Sequence, residues 1–217
     1  MNYIYLLIEI VLVFLLMIIF YKIDKKDSLY VYIGLMGTIL GVSINGSIDI
    51  LSFSVNMGIP IVMGLFICNN VIIHRYGLDE VKRILCTFGG CYLLTIICIG
   101  FVSFINDNSL FDLLFGYNLN SLRVIIGGFI SMIIMLWMSS GIYYSIRKNR
   151  SAIVISNLIS AFVVAFIESM IFVLVAYTGY FDFIELFGMI SVRYIIEVII
   201  GIIGLIPVYY LIKNSDK

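Results

Sequence analysis

The sequence predicts an all-α, polytopic membrane helix bundle with about seven transmembrane helices, and three observations predict it. The chain is 63% hydrophobic and 12% charged, whereas a soluble domain is about half apolar and about a quarter charged. Seven apolar stretches approach or exceed the roughly 20 residues that a helix needs to cross a bilayer core. Of the 13 Lys and Arg residues, 11 fall in four places: Lys22, Lys25 and Lys26; Arg75, Lys82 and Arg83; Arg147, Lys148 and Arg150; and Lys213 and Lys217. Cytoplasmic loops collect Lys and Arg and the opposite loops do not. The expected topology is therefore N-terminus out and C-terminus in, in a multi-pass protein of the cell (plasma or inner) membrane.

The spans follow in order, as one integral membrane domain over residues 1–217. Span 1 is expected over Tyr3–Tyr21. Met1–Phe20 has no basic leading region and its lysines follow the apolar run, so it reads as a retained helix rather than a signal peptide. Span 2 is Leu29–Ile48, span 3 Asn56–Ile73 and span 4 Ile84–Ile105. Span 5 is Leu122–Ile146, span 6 Ala152–Tyr177 and span 7 Ile190–Ile212. Loops after spans 1, 3 and 5 hold the basic clusters; loops after spans 2, 4 and 6 hold no Lys or Arg. Tyrosines near the span ends, among them Tyr21, Tyr30, Tyr32, Tyr143 and Tyr144, fit the aromatic belts of a membrane protein. The outer loop Asn106–Asn120, rich in Leu and Phe, is expected to lie along the interface.

Composition also excludes functions. A net charge of zero implies no nucleic-acid partner. The four cysteines, Cys68, Cys86, Cys91 and Cys98, lack metal-ligand spacing and read as small buried hydrophobes. No glycine-rich phosphate loop is present, so the chain by itself is no ATPase. Ser139, Ser140 and Gly141 have no paired base, which leaves nucleophilic catalysis without support. No enzyme activity, cofactor or metal is expected; proton coupling stays open.

Charges within the spans mark candidate function, because insertion of a central Asp, Lys or Arg costs roughly 2.5–3.5 kcal/mol. Glu168 lies mid-span in segment 6. Asn157, Ser160, Val164 and Glu168 repeat at helical spacing and share one face, a polar stripe that reads as a ligand or proton site, or as an interhelical hydrogen bond. Arg193 and Glu197, four residues apart in span 7, can pair on one face, either as a static neutral pair or as a gate or substrate clamp. Gly201 and Gly204 continue roughly along that face. Arg123 and Glu9 are expected near the outer interface, Asp49 in water, and His74 at the surface beside a basic loop. In span 3, Gly58, Pro60 and Gly64 suggest either a helix interrupted in its first half, as transporter sites use, or a plain small-residue packing surface.

Three segments together resemble the vitamin-uptake-like (VUT) family, whose known members are queuosine precursor transporters. The first runs from Asn70 through His74-Arg75-Tyr76-Gly77 to Lys82-Arg83. The second runs from Ile155-Ser156-Asn157 through Phe166-Ile167-Glu168-Ser169 to Phe172 and Tyr177. The third is Tyr194-Ile195-Ile196-Glu197 followed by Pro207-Val208-Tyr209. The likeness extends over about residues 29–212. Asn70 stands where the family has an acid, His74 where it has a charged residue, and Glu197 where it has a lysine; Glu168 keeps the family's acid.

The resemblance implies a bundle that admits a 7-deazaguanine-type base. A carboxylate such as Glu168 can accept two N–H bonds from a guanine-like edge, with Phe172 and Phe166 available to pack on the ring. The expected function is therefore a secondary transporter importing a small polar heterocycle, a queuosine precursor above all, with access alternating around a site between spans 3, 6 and 7. Its expected substrate-binding residues are Glu168, Asn70, Asn157, Ser160, Phe172, Arg193 and Glu197. The alternatives are a substrate-binding membrane subunit of an ATP-driven importer, and a non-transporting membrane sensor or assembly subunit. The expected partners are a small-molecule substrate and the lipid bilayer, and a homo-oligomer stays open.

Overall fold

A computed structural model describes residues 2–44, 46–50, 53–105, 119–148 and 152–213. Its helices are α1 (Asn2–Ile23), α2 (Asp27–Ser43), α3 (Ile59–Tyr76), α4 (Val81–Ile105), α5 (Leu119–Lys148), α6 (Ile153–Tyr177), α7 (Phe183–Ile203) and α8 (Leu205–Lys213). Seven segments result, because α8 continues α7 after a break at Gly204. Six segments are long and apolar enough to cross a membrane, and α2, at 17 residues, is the short one. The expected helix bundle is therefore observed.

The break in the last segment has a local cause. Pro207 has no amide hydrogen to give the carbonyl of Ile203, four residues back. The flanking bonds survive: Gly204 N–H donates to Ile200 O at 2.8 Å and Val208 N–H to Gly204 O at 3.3 Å. At its other end α7 begins seven residues before the expected Ile190. Asp182 precedes its first turn, and the Asp182 amide donates to a Glu185 carboxylate oxygen at 3.2 Å, half of a capping box. Those two acids lower the apolar density enough to hide the first two turns from a hydropathy reading.

Span 2 also differs from expectation. α2 ends at Ser43, and Ser47–Ile50 pairs antiparallel with Phe53–Asn56 as a hairpin, β1 and β2, with Ser47 opposite Asn56. Ile48, Ile50, Phe53 and Val55 favour strand geometry, so the apolar run that hydropathy joins to span 2 leaves the helix. The expected interfacial segment lies almost wholly in residues 106–118, outside the described residues.

α3 is the axis of the bundle. Every residue from Ile59 to Ile73 is buried, and α1, α2, α5, α6, α7 and α8 all pack on it. Of the two readings of its Gly and Pro residues, the packing surface fits, and the helix runs without a break from Ile59 to Tyr76. Pro60 sits in the first helical turn, where an amide has no intrahelical partner to lose. Gly64 lets α1 and α2 close in: a Cβ there would lie 2.3 Å from Val13 Cγ1 and 2.7 Å from the Tyr32 hydroxyl. Gly204 does the same for the last segment, where a Cβ would meet Ile67 Cδ1 at 1.8 Å.

Described residues of the basic clusters gather at one end of the bundle, as the charge pattern requires. Lys26 pairs with Glu80 and Arg83 with Asp27, the latter at 3.1 Å. The Arg75 guanidinium lies 4.9 Å from the Tyr21 ring centre and donates to Leu211 O. At the other end Arg123 lies over Tyr180, 5.0 Å from the ring centre, so it is held by a ring as well as reaching the interface.

Other expectations are corrected. His74 is half-buried, with Nδ1 3.0 Å from the Tyr143 hydroxyl, so it joins α3 to α5 rather than standing at the surface. Tyr32 and Tyr143 are fully buried. Their rings fill core while their hydroxyls find partners inside, the Tyr32 hydroxyl at Val13 O, 3.3 Å away. Only Cys68 of the four cysteines is buried; Cys86 and Cys98 are exposed on α4. A peripheral helix faces lipid, which accepts a thiol as readily as a core does.

Two outcomes follow. Gly64→Leu overfills the α1–α3 contact, which costs about 1–3 kcal/mol, and should lower the detergent melting temperature measured by size exclusion. Gly141→Ala, inside α5 where a Cβ meets nothing within 4 Å, should not lower it, since alanine favours a helix over glycine. The hydrogen bonds from Lys26 and then Tyr30 hold the Glu80 carboxyl below its usual 4.5. A carboxyl lowered by folding adds stability at higher pH and loses it as pH falls through its folded value. Melting temperature should therefore fall below about pH 4.5, with a shallower slope in Glu80→Gln.

Candidate functional site

A buried ion cluster occupies the space between α5, α6, α7 and the end of β2. Arg193 of α7 is its centre, and Arg193, Glu168 and Glu197 are at most 5% exposed. Arg193 Nη2 donates to Glu168 Oε1 at 2.9 Å and Nε donates to Oε2 at 3.0 Å. This two-bond fork is the strongest geometry open to an Arg and a carboxylate. Ser131 of α5 adds a third bond to Glu168 Oε1 at 2.9 Å.

The remaining faces of the guanidinium are also engaged. Nη1 reaches Asn56 Oδ1 at 3.4 Å, and Asn56 donates to Ile44 O at 2.6 Å. This contact ties the hairpin to the cluster. Phe172 follows Glu168 by four residues on α6, and its ring centre is 4.1 Å from the guanidinium carbon, a cation–π contact in a desolvated setting. Glu197 Oε1 lies 2.9 Å from Arg193 Nε, and its Oε2 accepts from Ser169 at 3.3 Å.

The expected Arg193–Glu197 pair therefore exists, but Arg193 gives its fork to Glu168. Helical spacing reports contacts within one helix, whereas the forked contact joins two helices 25 residues apart in the chain. Phe172, expected to pack on a ligand ring, packs on Arg193. Phe166 is 49% exposed and meets Tyr194 instead. It lies two residues from Glu168, which puts it on the outward side of the same helix.

Asn157, Ser160, Val164 and Glu168 are all buried, so the stripe read from their spacing turns inward. It is not one site. Asn70 of α3 donates to Asn157 Oδ1 at 3.0 Å, and Asn157 donates to Ile153 O at 3.0 Å. Asn157 precedes Glu168 by 11 residues, about 16 Å along a helix at about 1.5 Å per residue, so a single base spans only one cluster. Asn70 Oδ1 and Ser160 Oγ are buried there without a hydrogen-bond partner among the described residues. A third group, Asn69 with Ser139 and Ser140, clamps α3 to α5 through bonds of 2.7 and 3.0 Å.

Ser131, Ser169 and Asn56 complete the ion cluster and were not singled out in the sequence. Ser131 carried a readable signal, as a polar residue in the middle of an apolar span. Asn56 carried none, because its place depends on the hairpin.

A cavity of about 10 Å³ adjoins Glu168 and Arg193, lined also by Asn56, Val62, Gly128 and Met132, room for about one water molecule. A groove of about 660 Å³ lies instead between Leu78, Val81 and the Trp137–Ile146 face of α5. It is apolar and outward-facing, and it does not touch the cluster. Among the described residues no group of three His, Cys, Asp or Glu side chains can hold a metal ion.

The profile of a family described as "Putative vitamin uptake transporter" matches residues 56–212. The match begins at Asn56, so α1, α2 and most of the hairpin precede it. No curated protein and no solved structure matches the chain.

Removing one partner of a buried pair costs about 3–5 kcal/mol, because it strands the other charge. Arg193→Gln strands two carboxylates and should lower the melting temperature more than any single change at Glu168 or Glu197. Arg193→Lys, which keeps the charge and loses the fork, should fall between. Fluorescence-detected size exclusion after heating reads the order.

Proposed function

Given that the chain belongs to this family of vitamin-uptake transporters, we propose that it is a secondary carrier importing a small polar heterocycle, with a 7-deazaguanine base, a queuosine precursor, as the best-fitting substrate. The observation that carries this reading is the buried Arg193–Glu168 fork. A guanine-like edge offers adjacent N–H donors to a carboxylate, and the neighbouring O6, the acceptor that a 7-deazaguanine keeps on that side, can take an N–H from Arg193. Both halves of the pair are thus complementary to one base. In the conformation described they satisfy each other.

Phe172 supports the same reading. Its face already holds the flat guanidinium, and a flat base has the same need for an aromatic surface. Glu168 and Arg193 contact the base, and Ser131 and Asn56 orient them. With a cavity of about 10 Å³ beside the pair, a base enters only when α6 and α7 part, which is the motion that alternating access requires. The polar layer at Asn70, Asn157 and Ser160, toward the basic end, is a second station on the route. Its unpaired Asn70 Oδ1 and Ser160 Oγ offer hydrogen bonds to a passing polar solute. The basic end faces the cytoplasm by the positive-inside rule.

The test is rescue of a bacterial strain that can neither make nor import queuosine precursors. It is fed 7-deazaguanine bases singly, and queuosine in tRNA is read out. Wild type should restore it. Glu168→Gln should cut uptake about tenfold or more, the loss expected for charge-assisted hydrogen bonds. Full rescue by a folded Glu168→Gln protein would sink the assignment of the site. No rescue by wild type present in the membrane would sink the substrate.

A further inference from the structure

The ion cluster is one positive charge short. Two carboxylates, Glu168 and Glu197, share one guanidinium, and no second cation lies against either among the described residues. The hydrogen-bond geometry says which oxygen carries the deficit. Arg193 Nε has a single hydrogen, and it goes to Glu168 Oε2 at 3.0 Å. Glu197 Oε1 lies 2.9 Å from the same nitrogen yet receives no hydrogen bond and is fully buried. It is an acceptor in the membrane core with nothing donated to it.

The surroundings offer no remedy. α6 presents Glu168, Ser169, Phe172 and Tyr177, α5 presents Ser131, and β2 presents Asn56. Ser131 donates to Glu168 and Ser169 to Glu197 Oε2. Ser169 and Ser131 are thereby committed, and Asn56 faces Arg193 with its oxygen. An uncompensated charge at such a position is among the most costly arrangements a membrane protein can hold.

We propose that the Glu168–Arg193–Glu197 cluster binds one monovalent cation, H⁺ or Na⁺, at Glu197 Oε1, and that this cation is the coupling ion of the carrier. The coupling half rests on the transport reading above; the binding half does not. A proton on Oε1 turns the orphan acceptor into a donor beside Glu168. A sodium ion takes Oε1 together with neighbouring carboxylate and hydroxyl oxygens. Either brings the cluster to neutrality. Parting Arg193 from Glu168 to admit a substrate changes the charge around Glu197, so occupancy of the two ligands is linked.

Infrared difference spectroscopy of the purified full chain separates the two ions. All samples carry Glu9→Gln, which removes the other carboxyl placed well inside a helix. For a proton, the spectrum holds a protonated carboxyl band that shifts in D₂O and is lost on raising the pH. For sodium, the carboxylate bands shift on exchanging KCl for NaCl at constant pH. In either case the signal should correspond to one carboxyl per chain and vanish in Glu197→Gln. These bands are read in the protein with native Glu197, so the test does not depend on that variant folding. Two ionised carboxylates indifferent to both treatments would overturn the proposal. The spectrum needs no substrate, so a failed rescue in the strain above leaves it intact. For coupling, vesicles containing the chain should accumulate radiolabelled 7-deazaguanine base at least tenfold under the matching pH or sodium gradient. Exchange of labelled for unlabelled base without gradient-driven accumulation would overturn the coupling alone.

Discussion

A guanidinium closed off from water constrains the rest of this bundle. Arg193 cannot remain in the membrane core without its partners, and they come from separate places: Glu168 and Phe172 from α6, Glu197 from its own helix, Asn56 from the hairpin. Each must arrive before the charge is tolerable, so the cluster fixes the rotation of α6 against α7 and the seating of β2. An apolar seam would leave these helices free to slide, because lipid tails solvate Leu as well as another Leu does. Directional bonds to a charge remove that freedom. The same property suits a gate, since a contact of a few strong bonds exchanges for another of equal number, whereas a broad packed interface does not.

α3 is the counterpart of this cluster. By hydropathy it is the least apolar of the six membrane-length segments, yet it is the most buried, with 83% of its residues inside the bundle against 22% for the α4 stretch. The apparent contradiction has a simple cause. A helix must be apolar wherever it faces lipid, while one enclosed on every side by protein can carry Asn69, Asn70 and small residues. Asn69 is satisfied by Ser139 and Ser140, and the Asn70 amide nitrogen by Asn157, while Asn70 Oδ1 has no partner among the described residues. For α3 the dip in hydropathy therefore marks the interior.

Much of the site was legible because charges in a bilayer are costly and cannot be accidental. Glu168, Arg193 and Glu197 stand out for that reason alone, and the spacing of Asn157, Ser160, Val164 and Glu168 puts them on the inward face they occupy. The partnership was not legible. Arg193 is four residues from Glu197 and 25 from Glu168, and spacing favours the near neighbour. Which acid receives the fork depends on how α6 and α7 are rotated, a property of the pair of helices. Pro60 shows the same limit. Composition makes it a candidate break, but a helix that begins at Ile59, three residues after the expected Asn56, makes it a harmless first-turn proline. The exposed thiols of α4 show it again, since which side of a helix meets lipid depends on what else packs there.

The sequence by itself determined the class, the number of segments and the end at which the basic residues gather. Those follow from the solvent: among apolar runs of this length, hydrocarbon admits helices, whose backbone bonds are all satisfied within the segment, and Lys and Arg partition to one side. It also determined which charges lie at depth. Tertiary structure alone decided that Arg193 bridges two acids, that Asn56 and Ser131 complete the ring, that the polar stripe divides into two clusters, and that Glu197 is left with an unpaired oxygen. These are contacts between segments far apart in the chain, set by close packing at glycines such as Gly64 and Gly204 and by the rotation of each helix about its axis. Periodicity gives the face of a helix but not the partner it meets.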